Sequence, residues 1–346
     1  MNNSKDMKKL FISGCMLLCI GLGVYFFLIH KEKLPPELGN IPIPEALIPA
    51  KEWPTAHHPD TIPSLAEKEF TGDDLRLVRK LSENEIYTRY QISYTSEGLV
   101  ISGIMNIPKG AGPFPILILN HGYIDPAVYK NGQGLGREQD FFARHGYVVF
   151  HSDYRNYAYS TFDPNNEIRP RSGYVEDVLN GIGALKRSKL DVLDKANIGM
   201  LGHSMGGGIT ENVMVTKPDI AKAYVLMAPI NSDYKVNFDK WVATEWPDTA
   251  KQFYDTYGTF EENPEFWNAI SAKNYVSKIT SPVMLHQGTS DGEVPFEWSR
   301  DFAELLKKAG KNITYYEYPG EPHIFGIAHP LVMERSLRFF DKILKK

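Results

Sequence analysis

Cysteine is nearly missing from this sequence. Of its 346 residues only Cys15 and Cys19 are cysteines, and both fall inside one uncharged apolar run near the start. The rest of the chain therefore cannot hold a disulfide or a metal site built on thiolates. That is compatible with a location outside the cytoplasm without establishing one. A large excess of either charge is also lacking. The formal net charge is −4 and no basic stripe interleaved with aromatics runs along the chain, which argues against a nucleic-acid partner. Internal repeats and low-complexity tracts are lacking too. What remains is a chain long enough to bury a large core, sized for one α/β domain of about 250 residues with additions.

The first addition is the apolar run itself, "LFISGCMLLCIGLGVYFFLI" from Leu10 to Ile29. It carries no charge over about the length that crosses a hydrocarbon core. Lys5, Lys8 and Lys9 precede it, and Lys31 and Lys33 follow, so the positive-inside bias points weakly to a cytoplasmic tail with the remainder outside. A cleaved secretory signal is the rival reading, but the run ends in Phe26, Phe27, Leu28, Ile29 and His30 rather than in small residues. "ISGC" ending at Cys15 looks like a lipoprotein box, yet only Leu10, Phe11 and Ile12 would form its apolar segment. Residues 1–9 then read as a short tail and 10–29 as an uncleaved signal anchor in the lipid bilayer.

Prolines recur from Pro35 to Pro63 with little apolar periodicity, which favours extended chain over helix. Residues 30–84 are read as a proline-rich stalk. The pair His57 and His58 in "HHPD" is read as solvated linker rather than as metal ligands.

From Arg89 onward strand-like and helix-like patterns alternate. "YQISYTSEGLVISGIMNIP" gives two β-rich runs about a turn at Ser96, Glu97 and Gly98. "FPILILN" is apolar throughout, as a strand buried on both faces of a parallel sheet must be. Helices and strands then succeed one another to Lys345, the pattern of a doubly wound, mostly parallel α/β sheet with right-handed crossovers.

Within that series, Gly202-His203-Ser204-Met205-Gly206 fits G-x-S-x-G, after the strand "ANIGML" and before a helix towards Thr216. This is the setting of a nucleophile elbow. A turn so tight leaves no room for β-carbons two residues either side of the serine, hence Gly202 and Gly206. A serine hydroxyl needs a base, and the base needs an orienting acid. Asp291 in "LHQGTSDGEVP" and His323 in "YPGEPHIFG" each follow an apolar strand, in the order serine, acid, histidine. Glu293 is the weaker rival acid, expected to face water. His329 is the rival base, but Pro330 beside it suits the start of the last helix and a surface or capping role. The oxyanion donors fall to the amides of Met205 and Tyr123. His121 and His203 are assigned to packing around the elbow.

Together, "SYTSEGLVISGIMNIPKG", "LNHGY", "SDYR", "GHSMGGG", "HQGTSDGEVP" and "GEPHIF" resemble the catalytic domain of the prolyl oligopeptidase family, in particular its acylaminoacyl-peptidase-like and dipeptidyl-peptidase-like members. The resemblance runs over about residues 85–346. It implies an α/β-hydrolase fold, a triad of Ser204, Asp291 and His323, and oxyanion donors at Tyr123 and Met205. Two stretches depart from it: Tyr123 and Ile124 stand where the family has glycine and proline, and "DYRG" continues here as Asp153-Tyr154-Arg155-Asn156-Tyr157. The gating β-propeller of the family's oligopeptidases has no counterpart in this sequence. Instead, residues 230–281 form an aromatic-rich, lid-like insertion whose rings, among them Trp241, Trp246, Phe253 and Trp267, either bury one another or line a subsite.

The sequence thus predicts a membrane-anchored serine hydrolase, its catalytic domain outside the cytoplasm, cleaving a small ester or short peptide through an acyl-enzyme without cofactor or metal. An esterase is favoured over a peptidase, since amide cleavage gains more from remote contacts. A non-catalytic binding protein on a hydrolase scaffold is the alternative. The oligomeric state is not legible.

Overall fold

The computed structural model describes residues 53–345. The apolar run Leu10–Ile29 and the first part of the stalk lie outside them. Among the described residues no helix is long and apolar enough to cross a membrane.

One sheet of nine strands organises the chain, in the order β1-β2-β3-β5-β4-β6-β7-β8-β9. β1 (Asp73–Glu83), β2 (Tyr87–Ser96) and β3 (Leu99–Pro108) form an antiparallel meander, and β3 meets β5 (Val148–Ser152) antiparallel. β4 (Phe114–Asn120), β5, β6 (Leu193–His203), β7 (Ala223–Met227), β8 (Val283–Gly288) and β9 (Ile313–Tyr318) run parallel. Every crossover in this half is long enough to carry a helix, as parallel pairing requires.

The β4 sequence shows why the sheet is covered twice. Ile116 and Ile118 point into one apolar cluster and Leu117 and Leu119 into another, all four fully buried. The first cluster is closed by α1 (Ile62–Glu67), α3 (Ser172–Arg187), α4 (Met205–Thr216) and α7 (Phe296–Lys308), the second by α2 (Gly136–Arg144) and α8 (His329–Leu344); α5 (Pro247–Tyr257) and α6 (Pro264–Ala269) belong to the insertion between β7 and β8. From β4 the chain moves outward to β5 and then returns across β4 to β6. Such a reversal opens a crevice at the carboxyl ends of the two strands where it occurs. Asn120 lies opposite Gly202 in the register, so the loops after β4 and β6 emerge side by side at that crevice.

Two expectations about the N-terminal side are corrected. The compact unit begins at Trp53, not at residue 85. Thr61, Ile62 and Leu65 are buried, and the prolines do not prevent α1, which carries one in its first turn, where no amide hydrogen is needed. β1 escaped detection because it is an edge strand, "DDLRLVRKLSE", charged, almost wholly exposed and broken by three register shifts. These are the features that keep an edge from recruiting further strands. Nor is "HHPD" solvated linker. His57 is exposed, but the His58 ring packs edge-on against Tyr257 and Phe266 at 5.4 and 5.7 Å. Asp60 is buried and accepts bonds from Arg169 Nε at 2.7 Å, Ser172 Oγ at 2.5 Å and Tyr257 OH at 3.1 Å.

Candidate active site

Ser204 sits between β6 and α4 with φ 56° and ψ −123°, a strained backbone that lifts its side chain off the sheet edge. Its amide donates to Met227 O at 3.0 Å, and its carbonyl accepts from Gly207 N at 2.9 Å and Ile230 N at 3.2 Å, so the turn is pinned from three sides. A β-carbon at Gly202 would lie 2.2 Å from Gly206 O, and one at Gly206 would lie 2.0 Å from Asn120 O. Both positions exclude any side chain.

Asp291 and His323 meet although they come from the loops after β8 and β9. His323 Nδ1 donates to Asp291 Oδ2 at 2.8 Å. Gln287 Nε2 donates to the same oxygen at 2.9 Å, and the amides of Glu293 and Val294 donate to Oδ1, each at 2.9 Å. Burial alone pushes the Asp291 carboxyl up, but His323 and the two amides outweigh it and hold the group below the usual carboxylate range. Glu293 takes a different place: it is exposed and lies 3.6 Å from His323 Nε2, on the far side of the ring from Asp291.

His203 and His121 have the structural roles expected of them. His203 Nε2 donates to the main-chain carbonyl of His323 at 3.0 Å, and burial, assisted by the charge of His323, pushes its pKa down to about 4. His121 stacks on Tyr154 and Tyr129 at 4.4 and 4.9 Å and bonds the Gly122 carbonyl. That fixes the loop bearing Tyr123, and Gly122 lets it pass so close that a β-carbon there would be 3.1 Å from Ser204 Cβ. His329 does start the last helix, but not as a surface or capping residue. Its Nε2 bonds the buried Glu138 at 2.7 Å, tying α8 to α2.

Ser204 opens into a cavity of about 550 Å³. Tyr123, Tyr234, Trp241 and Trp246 contribute to its wall, with Tyr123 and Trp246 5.7 Å apart. The aromatic rings of the insertion divide into two groups. Phe238, Phe253, Tyr257, Phe266 and Trp267 bury one another in a separate cluster, while Tyr234, Trp241 and Trp246 face the cavity. Arg155, in the "DYRN" segment, is buried and bonds Asp177, Glu176 and Asp163. A residue the sequence reading did not single out, Arg171, also lines the cavity. It has no motif around it and reaches the site only because α3 begins there. Among the described residues no group of three or more histidine, cysteine, aspartate and glutamate side chains is disposed to hold a metal ion.

Sheet order and elbow define the class: the chain has an α/β-hydrolase fold. It belongs to the prolyl oligopeptidase family, whose model matches residues 134–346. Among curated relatives, the rat protein named inactive dipeptidyl peptidase 10 is 27% identical over 203 residues, 58% of this chain and 24% of its own length. The chain spans about a quarter of the length of that relative. Among solved structures, an acylaminoacyl peptidase in complex with Z-Gly-Gly-Phe-chloromethyl ketone superposes with a TM-score of 0.61 at 21% identity, over 76% of this chain and 42% of that one. Acetyl xylan esterase 1 from Thermoanaerobacterium sp. JW/SL YS485 does so with a TM-score of 0.60 at 18% identity, over 81% and 90%. These two likenesses bear on the fold alone.

Proposed function

We propose that the protein cleaves a small ester or short peptide through an acyl-enzyme on Ser204, with His323 as base, Asp291 as the orienting acid and the amides of Tyr123 and Met205 as oxyanion donors. The observation that carries this reading is the 2.8 Å bond from His323 Nδ1 to Asp291, which makes Nε2 the nitrogen that takes a proton. In the first step His323 Nε2 removes the Ser204 proton as Oγ attacks the carbonyl, and returns it to the leaving group. Water then repeats the sequence to release the acid. Asp291 stabilises the imidazolium formed in between, and its four donors keep it ionised and oriented for that.

A cavity of about 550 Å³ suits a small substrate, and an ester is favoured over a peptide. The relative named inactive makes a binding protein on a hydrolase scaffold the second reading. A fluorophosphonate probe separates the two. Covalent labelling that disappears in Ser204→Ala is the expected result, with turnover of p-nitrophenyl esters falling by roughly four to six orders of magnitude. An unlabelled wild-type protein would favour the scaffold.

Residues 10–29 are proposed to anchor the protein in a bilayer with the hydrolase outside the cytoplasm, a cleaved secretory signal being the alternative. The uncharged apolar run and the lysines before it support this. Membrane association that survives alkaline carbonate is expected; release by carbonate refutes the anchor.

A further inference from the structure

Six charged side chains line the cavity that holds Ser204: Glu167, Glu245, Glu293, Arg169, Arg171 and Lys240. Their situations differ. Arg169 is neutralised by Asp60 and Glu176. Lys240 and the three glutamates are exposed, where water and salt screen them. Arg171 is half-buried and unpaired among the described residues. Its Nη1 is buried without a hydrogen-bond partner, and the side chain forms no ion pair among the described residues. Its charge reaches the hydroxyls of Tyr157, Tyr174 and Tyr234. Folded chains seldom leave a guanidinium nitrogen both dry and unpaired, and a site awaiting its ligand is one reason to do so. Backbone geometry does not explain the residue either. Arg171 has φ 59°, a left-handed conformation that glycine adopts without strain.

Resting on the reading of Ser204 as nucleophile, we propose that Arg171 is the anion-recognition group of this cavity, so that the substrate is an ester or amide with an apolar body and a free carboxylate. The guanidinium fork matches a carboxylate in geometry and charge, and Tyr234, Trp241 and Trp246 offer surface for the body between carboxylate and scissile bond. A singly charged carboxylate is preferred to a phosphate dianion because Glu167, Glu245 and Glu293 share the same wall. N-acyl amino acids and half-esters of dicarboxylic acids have this chemistry.

The test measures binding, so that it does not depend on turnover. Calorimetry on Ser204→Ala protein compares N-acetylphenylalaninate with its neutral twin, N-acetylphenylalaninamide. The carboxylate is expected to bind at least about tenfold more tightly, as a charge-assisted pair allows. Adding Arg171→Gly abolishes the preference, and Arg171→Lys, which keeps the charge without the fork, retains part of it. Because glycine relieves the left-handed backbone, the Arg171→Gly protein is expected to melt no lower than its parent, which separates lost recognition from lost folding. Equal or undetectable binding of both probes overturns the proposal, as does a preference that survives Arg171→Gly. Fluorophosphonate labelling of the wild-type protein reports on Ser204 separately. Labelling without the carboxylate preference removes the role of Arg171 alone, and the preference without labelling keeps the anion site while removing the catalytic reading.

Discussion

Replacing Asp291 by asparagine tests the site at its most constrained atom. Oδ1 faces two amide donors, from Glu293 and Val294, so an asparagine must turn its oxygen to them. Its NH2 group then occupies the place of Oδ2, against His323 Nδ1 and Gln287 Nε2. The consequence for His323 is a change of tautomer: Nδ1 becomes the acceptor and Nε2 carries the proton, so it cannot receive one from Ser204. A loss of about 10⁴ in kcat accompanies the equivalent change in a serine protease triad. A second effect falls on stability. Two donors now oppose each other at Gln287, a buried side chain whose Oε1 accepts from Ser299 Oγ at 2.7 Å. Loss of charge-assisted bonds of this kind costs about 1–3 kcal/mol. The two effects separate in the double variant Asp291→Asn with Gln287→Glu, where a carboxylate again accepts at the second position. Stability is expected to recover and the rate is not. Initial rates on p-nitrophenyl acetate, with thermal unfolding of the same samples, provide the check. An Asp291→Asn protein that keeps more than about a tenth of its activity refutes the tautomer argument, and a double variant as active as wild type refutes it as well.

The remaining predictions concern the scaffold. His329→Ala strips Glu138 of its 2.7 Å partner and leaves Arg137 at 3.9 Å, so stability falls by about 1–3 kcal/mol while ester turnover changes little; a rate loss equal to that of His323→Ala would move the base to His329. Four histidines are held neutral chiefly by burial, His203 with a pKa of about 4, His286 of about 3, and His121 and His151 also lowered. Unfolding releases them to an ordinary value near 6.5, so between that pH and their folded values the unfolded state binds more protons. Their contribution is intact above about pH 6.5 and is lost as the pH falls towards 4, at up to about 1.4 kcal/mol per histidine per pH unit; urea midpoints that stay flat from pH 7 to 5 would refute this. A chain beginning at Trp53 is expected to fold and turn over soluble esters. One beginning at Phe70 loses buried Ile62 and Leu65, roughly 3–6 kcal/mol, together with Asp60, the partner of Arg169; equal melting temperatures for the two would refute the role given to α1.

Sequence alone determined what depends on neighbours along the chain. β4 declares itself because a strand buried on both faces must be apolar at every position. The elbow declares itself because a turn that closes to about 2 Å between would-be β-carbons and backbone tolerates only glycine at Gly202 and Gly206. That Asp291 and His323 could meet was legible from chain order, since they sit in the loops after β8 and β9, parallel neighbours whose carboxyl ends lie at the same edge of the sheet. Tertiary structure decided what depends on residues far apart. β1 pairs by its backbone, so its charged side chains carry no strand signal. The segment from Trp53 joins the core through Ile62 and Leu65, and through an aspartate whose partners lie 109 and 197 residues away. Which aromatic rings of the insertion pack together and which face the cavity is set by how short helices fold back on one another, a matter on which composition is silent. Arg171 is the clearest case. An arginine in sequence is only a charge, and whether that charge is paired, screened or left half-buried without a partner in the cavity of Ser204 is fixed by where the neighbouring carboxylates have gone.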